Sequence, residues 1–188
     1  MRNNILDFEL QKGFYTVQFI QKGIHSFHEA CQFIASQVLN ANYTVANRED
    51  QKIDGPLSNA AKHSILAKIA EENFQDEIEL VAGIFMMSSE THPEFQTFLD
   101  SYKLITIPEI HCYLRYKGER FDFSSNAPKL PLIEKKITRE QRIEPHQIGE
   151  WRMEIHKDYL KRWISRKPEI NQSFEEIYSK RNEFYKTL

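Results

Sequence analysis

The sequence predicts an α+β fold, and three observations indicate it. Ser26 and Glu29 form a capping-box pattern that is followed by apolar residues at helical spacing. The mostly apolar, β-rich run EIELVAGIFMM at 77–87 is typical of a central strand. Two further β-rich runs, 110–116 and 119–124, flank a Lys-Gly pair and therefore indicate a hairpin.

Helix-start signals and apolar spacing define the predicted helices. After the capping box, one helix face holds Phe27, Ala30, Cys31, Ile34 and Val38. The next helix, which we expect to be the core helix, begins at Ser58 or Asn59, directly after an Asp-Gly-Pro turn, and ends near Asn73. A third, short helix is expected at 93–102.

The C-terminal quarter is predicted to be helical. Its first helix carries one apolar stripe and ends at Pro168. The stripe consists of Ile148, Trp151, Ile155, Tyr159 and Trp163. Ser173 and Glu176 then repeat the capping pattern for a final helix. Two polar stretches, about 41–57 and 124–136, are predicted to be irregular because turn residues close the first and prolines interrupt the second.

Composition excludes several classes of protein. The 188 residues are 40% hydrophobic and 12% aromatic, which suits one folded domain and argues against disorder. The formal net charge of −2 gives no global basic field, so we expect no nucleic-acid partner. No apolar run approaches the roughly 20 residues of a membrane span, and the first residues are too polar for a signal peptide. We therefore expect a cytoplasmic protein without a membrane partner. The only two cysteines, Cys31 and Cys112, are expected in the core.

The predicted hairpin brings a histidine and a carboxylate together. With a two-residue turn, one face holds Cys112, Leu114, Tyr116, Phe121 and Phe123, and the other holds His111, Tyr113, Arg115, Arg120, Asp122 and Ser124. His111 and Asp122 become diagonal neighbours, with Cβ atoms on the order of 7 Å apart. Such a pair fixes one imidazole tautomer and leaves the other nitrogen as a base. An ordinary His–Asp pair on a solvated strand is the alternative.

The N-terminus of the core helix is the second candidate feature. Free backbone N–H groups at such a position stabilise a thiolate or an oxyanion, and thiol hydrolases place a cysteine there. Here Ser58 and Asn59 occupy the position, and plain helix capping is the alternative explanation. His63 lies one turn further along, as either a core residue or a ligand contact.

These segments together resemble the bacterial transglutaminase-like superfamily, which has a papain-like core. The matching stretches are AAKHSILAKIAEEN, ELVAGIFMMS and IPEIHCYLRYKGERFDF. The tail IEPHQIGEWRMEIHKDYLKRWI, followed by PEINQSFEEIYSKRNEF, is similar to one poorly characterised subgroup. The resemblance implies a Cys–His–Asp triad in which His111 is the base and Asp122 orients it. In the related pattern a cysteine stands four residues before the core-helix histidine, and here that residue is Asn59.

The missing cysteine leads to our main functional hypothesis. We predict a degenerate transglutaminase-like protein that binds a peptide, ligand or protein partner in its cleft and catalyses no acyl transfer. The alternative is an active hydrolase or acyltransferase with Ser58 as nucleophile and the His111–Asp122 pair as base. A metal site from His63, His111 and Asp122 is a minor alternative, and we predict no cofactor. The last alternative is a purely structural role, in which the protein forms a homodimer through Trp151, Tyr159 and Trp163.

The predicted architecture is one domain over 1–188, with a core at about 26–124 and a helical extension at about 137–188. The core helix packs on an antiparallel sheet. Ser58, Asn59, His111 and Asp122 converge in the cleft. Tyr113 and His63 lie at its rim, and Arg115 and Arg120 are placed to favour an anionic ligand.

Overall fold

The computed structural model describes residues 5–39 and 53–186. Most of the predicted irregular stretch at 41–57 therefore lies outside the described residues. In the described ranges the structure combines helices with an antiparallel sheet, which confirms the α+β class.

Four strands form the sheet, in the order β3-β2-β1-β4. Their bounds are β1 Glu79–Met87, β2 Ile107–Tyr116, β3 Glu119–Phe121 and β4 Ile137–Arg142. β1 lies between β2 and β4, so the prediction of a central strand is confirmed. The hairpin is also confirmed, because Tyr116 pairs with Glu119 across a turn whose two residues have positive φ. β3 is shorter than predicted and ends before Asp122.

Helices cover both faces of the sheet. Their bounds are α1 Phe14–Ile20, α2 Phe27–Ser36, α3 Asn59–Glu72, α4 Gln96–Ser101, α5 Leu130–Ile133, α6 Glu150–Ser165 and α7 Phe174–Tyr185. α3 is the predicted core helix and packs with α1 and α2 on one face. α6 packs on β2 from the other face. The sheet therefore separates two apolar clusters.

The predicted helix starts are confirmed at residue level. Ser26 caps α2 and forms the complete capping box with Glu29. The Ser58 side chain accepts the Ala61 N–H at the start of α3, and Ser173 caps α7 in the same way. Each cap uses groups within four residues, so local sequence is sufficient to specify it.

Four sequence predictions about individual segments are corrected. Val38 follows the end of α2 and is 68% exposed, so it does not share the buried face. The stretch 124–136 contains α5 and a short 3-10 helix, Glu134–Lys136. The extension from 137 begins with β4 instead of a helix, because a polar strand can add to the free side of β1 as an edge strand. In α6 the buried residues are His156 and Leu160, since the helix turns this side toward β2.

Candidate functional site

The first residue of α3 is bound to the backbone of β2. The Asn59 Oδ1 accepts the Cys112 N–H at 2.8 Å, and the Asn59 Nδ2 donates to the Cys112 carbonyl at 3.0 Å. These two hydrogen bonds fix which end of the amide is oxygen. They also satisfy a buried donor and a buried acceptor, because Cys112 has no exposed surface.

The reason for this contact lies in the strand register. Leu114 pairs with Phe121, so a longer β3 would bring Phe123 opposite Cys112. The chain leaves the sheet after Phe121, and the side chain of Asn59 binds the position that β3 vacates. Asn59 therefore replaces one step of a β-ladder.

His111 and Asp122 form the pair that the hairpin pattern predicts. His111 Nε2 lies 2.8 Å from Asp122 Oδ2. The carboxylate also accepts the N–H groups of Ser124 at 2.9 Å and Leu130 at 3.2 Å. Burial would raise the pKa of Asp122, but the hydrogen bond and charge of His111, with the nearby His63 and the Ser124 N–H, lower it well below its ordinary value. Asp122 is therefore an ionised acceptor.

Asn59 and Asp122 face the same nitrogen of His111. Asn59 Nδ2 lies 3.3 Å from His111 Nε2, which donates its proton to Asp122. Two donors make no hydrogen bond with each other, so the Asn59 amide is only in contact with the ring. A catalytic triad instead uses one ring nitrogen for the nucleophile and the other for the carboxylate. In this arrangement Asp122 occupies the nitrogen that a nucleophile at residue 59 would need.

His63 is buried beneath this pair and is neutral. Its Nε2 accepts the Phe123 N–H at 2.8 Å, so the ring proton lies on Nδ1 and is donated to the Asn59 carbonyl at 2.9 Å. Burial lowers the pKa of His63 to about 4, although the Asp122 carboxylate 3.5 Å away favours the cation. His63 has no exposed surface, so it lies below the cleft and not at its rim.

Ser58 is directed into the helix that it caps. Its Oγ accepts the Ala61 N–H at 3.2 Å. Among the described residues, the hydrogen bonds of Ser58 include none with His111. The side chain at the place predicted for the nucleophile is therefore that of Asn59.

Lys62 is a site residue that the sequence analysis missed. Its side chain is completely buried, and its Nζ donates to the carbonyls of Gln37 at 2.6 Å and Ser124 at 2.7 Å. Burial lowers the pKa of Lys62, while Asp122 opposes that shift. A lysine in the first turn is unfavourable for the helix dipole, and this is the signal that could have indicated a tertiary role.

The three other predicted contact residues are engaged within the protein. Tyr113 has no exposed surface, and its hydroxyl donates to Glu140 at 2.6 Å. The sequence pattern predicts a rim position because the strand face of Tyr113 is polar in sequence, but a second apolar cluster covers that face. Arg115 pairs with Glu79 at 2.7 Å. Arg120 Nε pairs with Glu140 at 2.9 Å, so neither guanidinium presents an uncompensated charge to an anion.

His92 is a second missed residue near His111. The rings of both histidines contact Phe85, with centroid separations of 5.6 Å for His92 and 6.5 Å for His111. Burial, followed by the Lys129 charge, lowers the pKa of His92 to about 4. No sequence pattern indicates this position, because His92 is brought here only by the packing of the segment after β1.

The side chains of the alternative metal set, His63, His111 and Asp122, are bound to one another or to the backbone. His63 Nε2 accepts a backbone N–H, and His111 Nε2 is bound to Asp122. Over 5–39 and 53–186, no group of three or more His, Cys, Asp or Glu side chains is placed to hold a metal ion.

In comparisons with known proteins, no family model, no curated protein and no solved structure matches this chain. The resemblance to the transglutaminase-like superfamily therefore stays a prediction. None of the described helices is long and apolar enough to cross a membrane.

Proposed function

We propose that this protein is a non-catalytic relative of transglutaminase-like thiol enzymes, and that it binds a peptide or protein partner in a cytoplasmic setting. One observation carries the proposal. The side chain beside His111 at the start of α3 is the amide of Asn59, bound at both ends to Cys112. The lone pair of an amide nitrogen is delocalised into its own carbonyl group, so Asn59 cannot attack an acyl carbon.

Two further contacts support the loss of chemistry. Asp122 holds the same nitrogen of His111 that faces Asn59, so the imidazole has no proton-accepting atom directed at residue 59. The Ser58 hydroxyl accepts a hydrogen bond from the helix backbone, which gives no support to the alternative of a serine nucleophile.

The first test is an acyl-transfer assay with an activated acyl ester and with a glutamine amide plus hydroxylamine. We expect turnover by the full chain to equal that of its His111→Ala variant. Turnover that requires His111 would overturn the proposal. Labelling of Ser58 by a serine-directed fluorophosphonate would overturn it in favour of the hydrolase alternative.

A second test restores the missing thiol with Asn59→Cys. The two native cysteines give a low background, because burial raises the pKa of Cys31 well above its ordinary value and that of Cys112 to about 11. If residue 59 has the nucleophile's place, iodoacetamide should alkylate the new thiol rapidly at pH 6, since a helix N-terminus favours a thiolate.

Ser58→Cys is the matched control, because its side chain is directed at the Ala61 N–H and away from the His111 side of the helix. A thiol at the N-cap also faces helix N–H groups, so the two positions are distinguished by their dependence on His111. We expect His111→Ala to slow the alkylation of Asn59→Cys at pH 6 at least about tenfold and to leave that of Ser58→Cys unchanged. An equal effect on both variants would contradict the assignment of residue 59 to the nucleophile's place.

A further inference from the structure

We propose that the outer edge of β3 binds an extended peptide as an additional strand. This inference rests on the proposed function and names its ligand class and its binding surface. β3 is the edge strand of the sheet, and the described structure pairs it only with β2.

The hydrogen-bond alternation shows which groups face outward. The N–H and carbonyl of Cys112 face the β3 side, because Asn59 binds both there. Alternation along β2 then puts the groups of Leu114 on the same side, where Phe121 pairs with them. The backbone N–H and carbonyl of Arg120 consequently face away from β2. In the described part of the chain neither group has a hydrogen-bond partner.

A groove follows this outward edge. It has a volume of about 570 Å³, and residues 118–123 line it. Its lining also includes Cys31 and Gln32 of α2, together with Pro128 and Pro131. This volume is within the range of about 300–1,000 Å³ that binding pockets usually have. An unpaired strand edge inside a groove binds extended backbone by strand addition.

The lining predicts the side chains of the peptide. The rings of Phe121 and Phe123 offer apolar contact along the groove. The exposed carboxylates of Glu119 and Glu134 line it, and the single guanidinium of Arg120 is paired with Glu134 at 3.1 Å. The Asp122 carboxylate also lines the groove, but its side chain is buried and bound to His111. Arg120 is also bound to Glu140 through two nitrogens, at 2.9 and 3.0 Å. A peptide with apolar residues at alternate positions and at least one lysine or arginine fits this surface, whereas an acidic peptide does not.

The experiment selects ligands from a displayed library of random heptapeptides on the immobilised full chain. One enriched peptide is then synthesised with blocked ends, and its Kd is measured for the wild type, Arg120→Ala and Arg120→Pro. Both variants lose the guanidinium, but only proline also loses the outward N–H. Proline is tolerated on an edge strand when its nitrogen faces away from the partner strand.

We expect Arg120→Ala to change the Kd by less than about fivefold, because it removes only a partly exposed charge. Arg120→Pro should weaken binding at least about tenfold, because it removes a hydrogen bond and blocks the approach of the peptide backbone. A peptide N-methylated at the position opposite Arg120 should bind the wild type at least about tenfold more weakly than the unmodified peptide does. That measurement keeps the test decisive if Arg120→Pro does not fold.

Each other outcome overturns the strand-addition inference. Equal affinity of both variants, with amide shifts around His111 instead of 118–123, would leave the proposed binding function intact and reject this surface. If the selection enriches no peptide, a peptide ligand is rejected altogether. A wild-type dimer that Arg120→Pro converts to a monomer would show that a second copy occupies the edge. The acyl-transfer assay remains an independent test of the proposed function.

Discussion

Replacing Asn59 with alanine should destabilise the protein much more than a substitution at a helix start normally does. The change removes the two hydrogen bonds between the Asn59 amide and the Cys112 backbone. The N–H and the carbonyl of Cys112 would then be buried without partners, because Cys112 has no exposed surface. Each unsatisfied buried group costs about 1–3 kcal/mol, so we expect the loss of both partners to lower the free energy of unfolding by about 2–6 kcal/mol.

The assay is urea denaturation at pH 7, with Ser58→Ala as the matched control. Ser58→Ala removes one capping hydrogen bond and should cost about 1 kcal/mol. A natural folded domain has only about 5–15 kcal/mol of stability, so the two losses are easily separated. If Asn59→Ala cost less than Ser58→Ala, the Asn59 amide would not bind Cys112 and the geometry of the site would be wrong.

Three further predictions concern charge and packing. The folded state keeps His63 neutral, with a pKa of about 4 against 6.5 in the unfolded chain. The unfolded state therefore binds more protons between these two values, and the folded state loses stability as the pH is lowered. His63 alone should account for about 2 kcal/mol of the stability lost between pH 7 and pH 5, so the loss should be smaller by about that amount in His63→Gln; equal losses in urea titrations would contradict a neutral histidine. Gly83→Ala places a Cβ atom 2.7 Å from the Tyr113 hydroxyl oxygen, so the free energy of unfolding should fall by about 1–3 kcal/mol. An unchanged melting temperature would refute that contact. Arg181→Met leaves the buried Glu109 carboxylate without its ion-pair partner, so the free energy of unfolding measured in urea should fall by about 3–5 kcal/mol. Adding Glu109→Gln should recover most of this loss, and a double variant as unstable as the single one would argue against the ion pair.

The sequence alone determined the features that depend on near neighbours. The capping groups of Ser26, Ser58 and Ser173 lie within four residues of the groups they bind. A two-residue turn fixes the register of the hairpin, and this register was sufficient to predict the contact between His111 and Asp122. Short-range spacing therefore specified the α+β class and the contact between His111 and Asp122 in the candidate site.

The tertiary structure decided everything that depends on what covers a surface. A strand with alternating polar residues is predicted to expose one face, but β2 is covered on both faces. Tyr113 is therefore buried instead of lying at a rim. β4 is a strand only because β1 offers it a free edge, since its own residues are mostly polar.

The role of Asn59 also could not be derived from sequence. Its identity led to the hypothesis that a nucleophilic cysteine is replaced, but the spacing did not show that the amide completes the ladder where β3 ends. That bond joins residues 53 positions apart, and it exists because Cys112 would otherwise be buried with two unpaired backbone groups. Local patterns determined which residues could meet, and the need to satisfy buried polar groups determined how they are bound.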